Sequence, residues 1–160
     1  MDHRTTEAAA QLRATGLRVT APRVAVLEAL ADHPHATADT VTRLARSRLG
    51  TVSVQAVYDV LGACTEAGLV RRIDPAGSPA RFETRTGDNH HHLVCRGCGR
   101  IVDVDCVVGA RPCLAPDDDA GFRLEEAEVV FWGLCPDCRV GEAPAGTTAT
   151  THHVHKESRQ

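Results

Sequence analysis

Two cysteine pairs at equal spacing constrain this chain more than any other feature. Cys95-x-x-Cys98 and Cys135-x-x-Cys138 each place two thiolates on one side of a tight turn, at about the separation that tetrahedral Zn²⁺ requires. Two such turns complete a Cys₄ set with no open position, so the site holds structure rather than performing chemistry. A redox pair or ordinary buried thiols are the other readings of the same spacing. The triplet His90-His91-His92 stands immediately upstream, so the material for a second, more open metal site lies beside the first.

A chain of 160 residues has room for one large domain or two small ones. With only 3% aromatics the core must be built from Val, Leu and Ala, and small domains of that kind gain from a metal staple. The first residues, Met1-Asp-His-Arg-Thr-Thr-Glu7, carry charge and no apolar stretch. No run approaches the ~20 apolar residues of a membrane span. These features predict a cytoplasmic protein without membrane contact, where cysteines more often bind metal or sense redox state than form structural disulfides. Residues 1–85 hold 11 Lys and Arg against 9 Asp and Glu, and residues 86–160 hold 7 against 12. Any DNA-facing surface therefore belongs to the first part.

Along the chain, helix signals come first. Thr5 or Thr6 can cap a helix through Ala14, with Gly16 as its stop. Thr20 can cap a second, with Pro22 in the first turn, where a missing N–H costs nothing. Thr37 can cap a third, with Val41, Leu44 and Ala45 inward and Gly50 at its end. Ser53 can cap a fourth that runs to Gly68, with Val54, Val57, Leu61 and Cys64 inward and Gln55, Tyr58 and Asp59 outward. Strands are predicted at Leu69–Ile73 and Arg81–Glu83 around a Pro/Gly turn, then at His92–Val94, Ile101–Val104 and Glu128–Leu134. Helices followed by a hairpin is the order of a winged helix-turn-helix, with the fourth helix as recognition helix. Pro112, Pro116 and Asp117-Asp-Asp119 argue against a long helix in 106–120. The segment from Gly141 onward lacks core residues and reads as disordered, its His152, His153 and His155 able at most to bind stray metal weakly.

Several motifs then stand in order: Gly16-Leu-Arg-Val-Thr-Ala-Pro-Arg23, Pro34-His-Ala-Thr-Ala-Asp39, Gln55-Ala-Val-Tyr58, Ala67-Gly-Leu-Val70, Arg81-Phe-Glu83, His90-His-His-Leu-Val-Cys95 and Cys98-Gly99. With these, the chain from about Leu12 to Cys138 resembles the ferric uptake regulator (Fur) family of bacterial metal-dependent transcription regulators. Asp88-Asn-His-His-His92 and Trp132-Gly-Leu-Cys-Pro-Asp-Cys138 resemble most its actinobacterial, catalase-associated branch (FurA/CatR). The resemblance implies an α+β protein: an N-terminal winged helix-turn-helix followed by a small α/β dimerisation domain with a Cys₄ zinc site. The expected division is 1–85 for DNA binding, 86–89 as hinge, 90–140 for dimerisation and metal binding, and 141–160 as a disordered tail. It implies a homodimer on double-stranded palindromic operator DNA.

The resemblance also implies functional residues. Structural Zn²⁺ falls to Cys95, Cys98, Cys135 and Cys138. A regulatory Fe²⁺ or Mn²⁺ falls to His35, Glu83, His90, His92 and Asp103. Nitrogen and carboxylate donors suit such metals, and His90-x-His92 on an extended segment shares one face. Arg18 matches the family's minor-groove basic residue and Tyr58 its recognition-helix tyrosine. Ser53 and Gln55 begin that helix and can bond phosphate or a base edge. The family often has Arg where this chain has Asp59, so operator sequence does not carry over. Some members hold a third metal at positions that read Asn89, His91, Ala110 and Ala127 here. Two alanines cannot ligate, so that site is expected to be absent and His91 to face solvent. Cys64 reads as core. Cys106 and Cys113 can form a reversible disulfide, or are unreactive thiols.

The implied function is a metal-dependent repressor that responds to peroxide and controls catalase and oxidative-stress genes. The alternative is a regulator of iron or zinc level without peroxide sensing, because peroxide sensors in the family commonly carry Asp where Glu83 stands. An enzyme is not expected. A zinc hydrolase lacks its local motif here, and a zinc-ribbon adaptor would need neither Arg18, Tyr58 nor the wing.

Overall fold

The computed structural model describes residues 3–109, 112–125 and 127–140. The predicted tail with its three histidines lies outside the described residues, as does Ala110. Four helices open the chain: α1 (His3–Ala14), α2 (Ala21–Asp32), α3 (Ala38–Leu49) and α4 (Val54–Glu66), with a two-residue strand β1 (Ala36–Thr37) before α3. The hairpin β2 (Arg71–Ile73) and β3 (Arg81–Glu83) follows, then β4 (His90–Cys95), β5 (Ile101–Asp105) and β6 (Val130–Gly133). Among the described residues, no helix is long and apolar enough to cross a membrane.

Two of the predicted caps form. Thr37 Oγ1 accepts from Thr40 N–H at 3.2 Å and Ser53 Oγ from Ala56 N–H at 3.0 Å, each satisfying one orphan donor at a helix start. Thr20 occupies the cap position of α2 without a side-chain bond. The predicted cap of α1 is corrected: the helix is already under way at His3, and Thr5 donates instead to Glu28 across the α1–α2 contact at 2.5 Å. On α4, Val54 is exposed rather than inward, and Val60 takes the buried place beside Val57, Leu61 and Cys64.

The helices bury a common core. Leu12, Val26, Leu30, Val41, Val57 and Leu61 are at most 1% exposed, and Val70 and Phe82 close the core from the hairpin side. Truncating one such Leu to Ala costs about 3 kcal/mol. Cys64 is sealed in this core, and burial pushes its thiol up, which suits packing rather than reactivity.

Two small sheets position everything else. In the first, β3 is central and pairs antiparallel with β2 and with β1, Ala36 opposite Phe82. In the second, β4 is central, antiparallel to β5 and parallel to β6. The register sets His92 opposite Asp103 and Cys95 beside Gly133. Side chains alternate along β4, so His90 and His92 share one face and His91 and Leu93 the other.

Candidate metal centres

The Cys₄ cluster follows from strand direction. Because β4 and β6 run parallel, both leave the sheet at the same end, and each ends in a C-x-x-C turn. The four sulfurs all lie within 4.8 Å of one another, with Cys98 Sγ 3.7 Å from Cys135 Sγ. Zinc–thiolate bonds of ~2.3 Å imply tetrahedral S–S edges of about 3.8 Å, so the set fits one closed zinc. Backbone amides at Cys135 and Cys98 bring the Cys95 thiol down to about 6, and Cys135 N–H donates to its sulfur at 3.3 Å. Hydrogen bonding to Cys135, Cys98 and Cys95 pushes Cys138 up to about 12. Four thiols so close cannot all ionise without a cation among them. Arg96 stacks over Trp132 at 5.0 Å and its N–H donates to Gly133 O at 2.8 Å, tying the two turns together.

The second cluster draws on both sheets. Glu83 ends β3. The unpredicted strand β1 pairs with β3 and so delivers His35, one residue earlier, to the same place. His35 adopts a left-handed backbone, φ 61°, uncommon outside glycine and a sign of local strain at a functional position. From the other sheet come His92, facing its register partner Asp103, and His90. His35 Nε2 lies 3.0 Å from Glu83 Oε2 and 2.7 Å from Asp103 Oδ1. His92 Nε2 lies 3.4 Å from Glu83 Oε1 and 3.6 Å from Asp103 Oδ1. The ligating atoms of these four residues sit within 4.8 Å of one another. His90 Nε2 reaches Glu83 Oε1 at 3.1 Å but stays 4.0 Å from Asp103, at the rim.

The chemistry of this set fits a hard or borderline divalent ion. Glu83 and His92 are wholly buried, and His92 Nε2 and Asp103 Oδ1 make no well-formed hydrogen bond. Converging buried polar atoms without partners are what a cation would satisfy. Burial alone would raise the Glu83 carboxyl, but the hydrogen bond to His35 and the close imidazoles of His92 and His90 outweigh it and hold it down at about 2. Burial likewise lowers His35, but Glu83 and Asp103 outweigh it, and its imidazole is raised.

Sequence reasoning missed two supporting residues. Asp88 Oδ1 bonds His90 Nδ1 at 2.8 Å and so aims Nε2 into the cluster. Arg85 in turn donates to Asp88 at 2.6 Å and to Asp105 at 2.6 Å. The adjacency of Asp88 to the histidine triplet was the available signal. One expectation is corrected: His91 does not face solvent. It is 7% exposed, its Nε2 3.3 Å from Cys113 Sγ and its ring edge-on to Phe131. At His91 the opposite face of β4 is covered by residues after β5 and by Phe131, and Cys106 joins the same group.

The residues read as DNA-facing all lie at the surface. Arg18, Gln55 and Tyr58 are exposed. Gln55 Nε2 donates to Asp59 at 2.8 Å, so that amide is already engaged. Ser53 spends an oxygen lone pair on its cap.

A family model described as "Ferric uptake regulator family" matches residues 14–129. The chain is 62% identical over 134 residues to the transcriptional regulator FurA of Mycobacterium tuberculosis, spanning 84% of this chain and 91% of that one. It is 30% identical over 145 residues to the peroxide-responsive repressor PerR of Staphylococcus epidermidis, spanning 87% and 93%. Among solved structures, the ferric uptake regulator of Pseudomonas aeruginosa with manganese is 30% identical at a TM-score of 0.61, over 81% of this chain and 98% of that one.

Proposed function

The chain belongs to the ferric uptake regulator family, a metal-responsive transcription regulator and not an enzyme, and on that premise we propose that it is a repressor whose DNA binding is switched by the metal held among His35, Glu83, His90, His92 and Asp103. One observation carries this reading. The clustered groups come from two sheets: Glu83 and, one residue before β1, His35 from the first, and His92 and Asp103 from the second, with His90 beside Glu83. Metal binding then becomes closure energy about the 86–89 hinge, between a DNA-binding unit at 1–85 and a dimerising unit at 90–140. The metal shifts the population only by its preference for the closed form.

The partners follow from exposed surfaces. Leu93, Val102 and Phe131 present an apolar stripe on one face of the second sheet, suited to a second copy of the chain. A homodimer sets two α4 helices toward the half-sites of a palindromic operator, with Arg18, Ser53, Gln55 and Tyr58 at the DNA. Cys95, Cys98, Cys135 and Cys138 hold zinc as a fixed part of the dimerising unit. A protein acting on DNA with these reduced thiols belongs in the cytoplasm.

The finer reading is a peroxide-responsive repressor of catalase and oxidative-stress genes. Ferrous iron in the His/Glu/Asp site would supply one-electron chemistry with peroxide. His90 is sealed, whereas the His35 side chain is 10% and Asp103 22% exposed. The exposed edge of the site lies at His35 and Asp103, so with iron bound His35 would be the imidazole nearer to incoming peroxide. A second reading, a metal-level regulator without peroxide chemistry, is favoured by Glu83, where peroxide sensors of the family commonly carry Asp. Anaerobic binding to the gene's own upstream DNA with Fe²⁺ or Mn²⁺, before and after low H₂O₂, separates them. Release with Fe²⁺ alone and an added oxygen on the His35 or His90 peptide supports peroxide sensing by the metal. Release with either metal and a Cys106–Cys113 disulfide moves the sensor to the thiols. Metal-dependent binding that ignores peroxide establishes the second reading.

A further inference from the structure

We propose that His91, Cys106 and Cys113 form a third cation site, selective for a thiolate-seeking divalent ion such as Zn²⁺. His91 occupies the face of β4 opposite His90 and His92, so the site is separate from the His/Glu/Asp cluster. It also lies away from the Cys₄ end of the sheet. The three ligating atoms lie within 4.8 Å of one another, with His91 Nε2 and Cys113 Sγ 3.3 Å apart. Zinc bonds of ~2.3 Å to sulfur and ~2.0 Å to nitrogen imply N–S edges of about 3.6 Å. The trio therefore approaches one face of a tetrahedron, leaving a fourth position for water.

Charge decides which cation fits. The group lines a pocket of about 430 Å³ with Val104, Val107, Leu114, Val129 and Phe131, and with Asp105, whose charge Arg85 meets at 2.6 Å. An apolar wall penalises net charge. Two thiolates and a neutral imidazole around a divalent ion sum to zero, whereas a monovalent ion leaves a residual negative charge. Thiolates also turn the preference away from the iron and manganese suited to the carboxylate-bearing site. The two faces of one strand thus sort metals by donor type.

The two thiols differ in acidity. Burial raises Cys106, but the amides of Gly109 and Val108 and bonds from Cys113 and Asn89 outweigh it and bring the thiol down. Cys113 stays raised, by burial first and then by its neighbour. Among the seven cysteines, four make the Cys₄ cluster and Cys64 packs the core, so these two are the remaining pair, and the fold delivers both to one histidine. This ligand set is not the third set of some family members, which shares only His91 with it.

The test uses the full-length protein, reduced under argon and equilibrated with buffered free Zn²⁺. The wild type is expected to hold one more zinc per chain than Cys106→Ser/Cys113→Ser, with the Cys₄ zinc kept in both. Cobalt in place of zinc should add a thiolate charge-transfer band that the variant lacks. If the variant loses its Cys₄ zinc through misfolding, wild-type protein alone decides: added Zn²⁺ should slow iodoacetamide alkylation of Cys106 and Cys113, read by peptide mass spectrometry. Equal zinc counts in two folded proteins, alkylation indifferent to zinc, or a Cys106–Cys113 disulfide that persists under reduction would each overturn the site.

Discussion

The Cys₄ cluster and the His/Glu/Asp cluster lie against the same strand and are built on opposite plans. The first takes all four ligands from two local turns of one sheet, and removing the cation would undo that end of the sheet. The second draws on two sheets, and its own groups pair only in part, leaving His92 Nε2 and Asp103 Oδ1 without a well-formed hydrogen bond. A site made locally stabilises a fold. A site shared between two parts of a molecule sets their relative placement, which a ligand can then control.

The largest expected effect separates the two plans. Cys95→Ser should abolish zinc retention and the cooperative melt of the second sheet, since structural zinc is worth ~10–16 kcal/mol in small metal domains. His92→Ala should keep both, as zinc analysis and thermal circular dichroism will show. Next, Glu83→Ala should weaken Mn²⁺ binding more than the ~10–100-fold usual for loss of an outer partner, with zinc content unchanged in a calorimetric titration. Asp88→Asn should fall within that ~10–100-fold range, because it removes only the acceptor that aims His90. A loss confined to zinc would reverse the comparison.

Two smaller effects sharpen it. Burial lowers the His35 imidazole, but Glu83 and Asp103 outweigh it, and its pKa is raised. A raised group keeps its proton to higher pH, and the metal must displace it. Mn²⁺ affinity should therefore fall by up to about tenfold per pH unit below that pKa and level off above it. Isotherms across pH 6 to 8, about the ordinary histidine range, check the slope. Smallest, Gly97→Ala would place a Cβ 3.0 Å from Cys138 Sγ and 3.1 Å from its Cβ. A cost of about 1–3 kcal/mol should appear as a lower melting temperature with Mn²⁺ affinity intact.

The parts legible in the sequence were those written locally. The C-x-x-C spacing, the caps at Thr37 and Ser53 and the apolar spacing of α3 each depend on neighbours within a few residues. Strand β1 was not legible, because Ala-Thr carries no alternation and forms only by pairing with β3 some 45 residues on. It is the element that brings His35 to Glu83. β4 was read as starting at His92, although it begins at His90, because a run of polar histidines carries no apolar alternation to mark a strand start. His91 was misjudged for the same reason: its cover comes from residues after β5, and no local pattern announces that return.

The central claim is that the metal shared between the two sheets governs DNA binding. The direct measurement is operator affinity by fluorescence anisotropy, for zinc-retaining wild type and Glu83→Ala, with and without Mn²⁺. Tight binding by wild type only when Mn²⁺ is present, with Glu83→Ala weak in both conditions, is the predicted result. Equal affinity with and without Mn²⁺, or a Glu83→Ala variant that responds to Mn²⁺ like wild type, would contradict it.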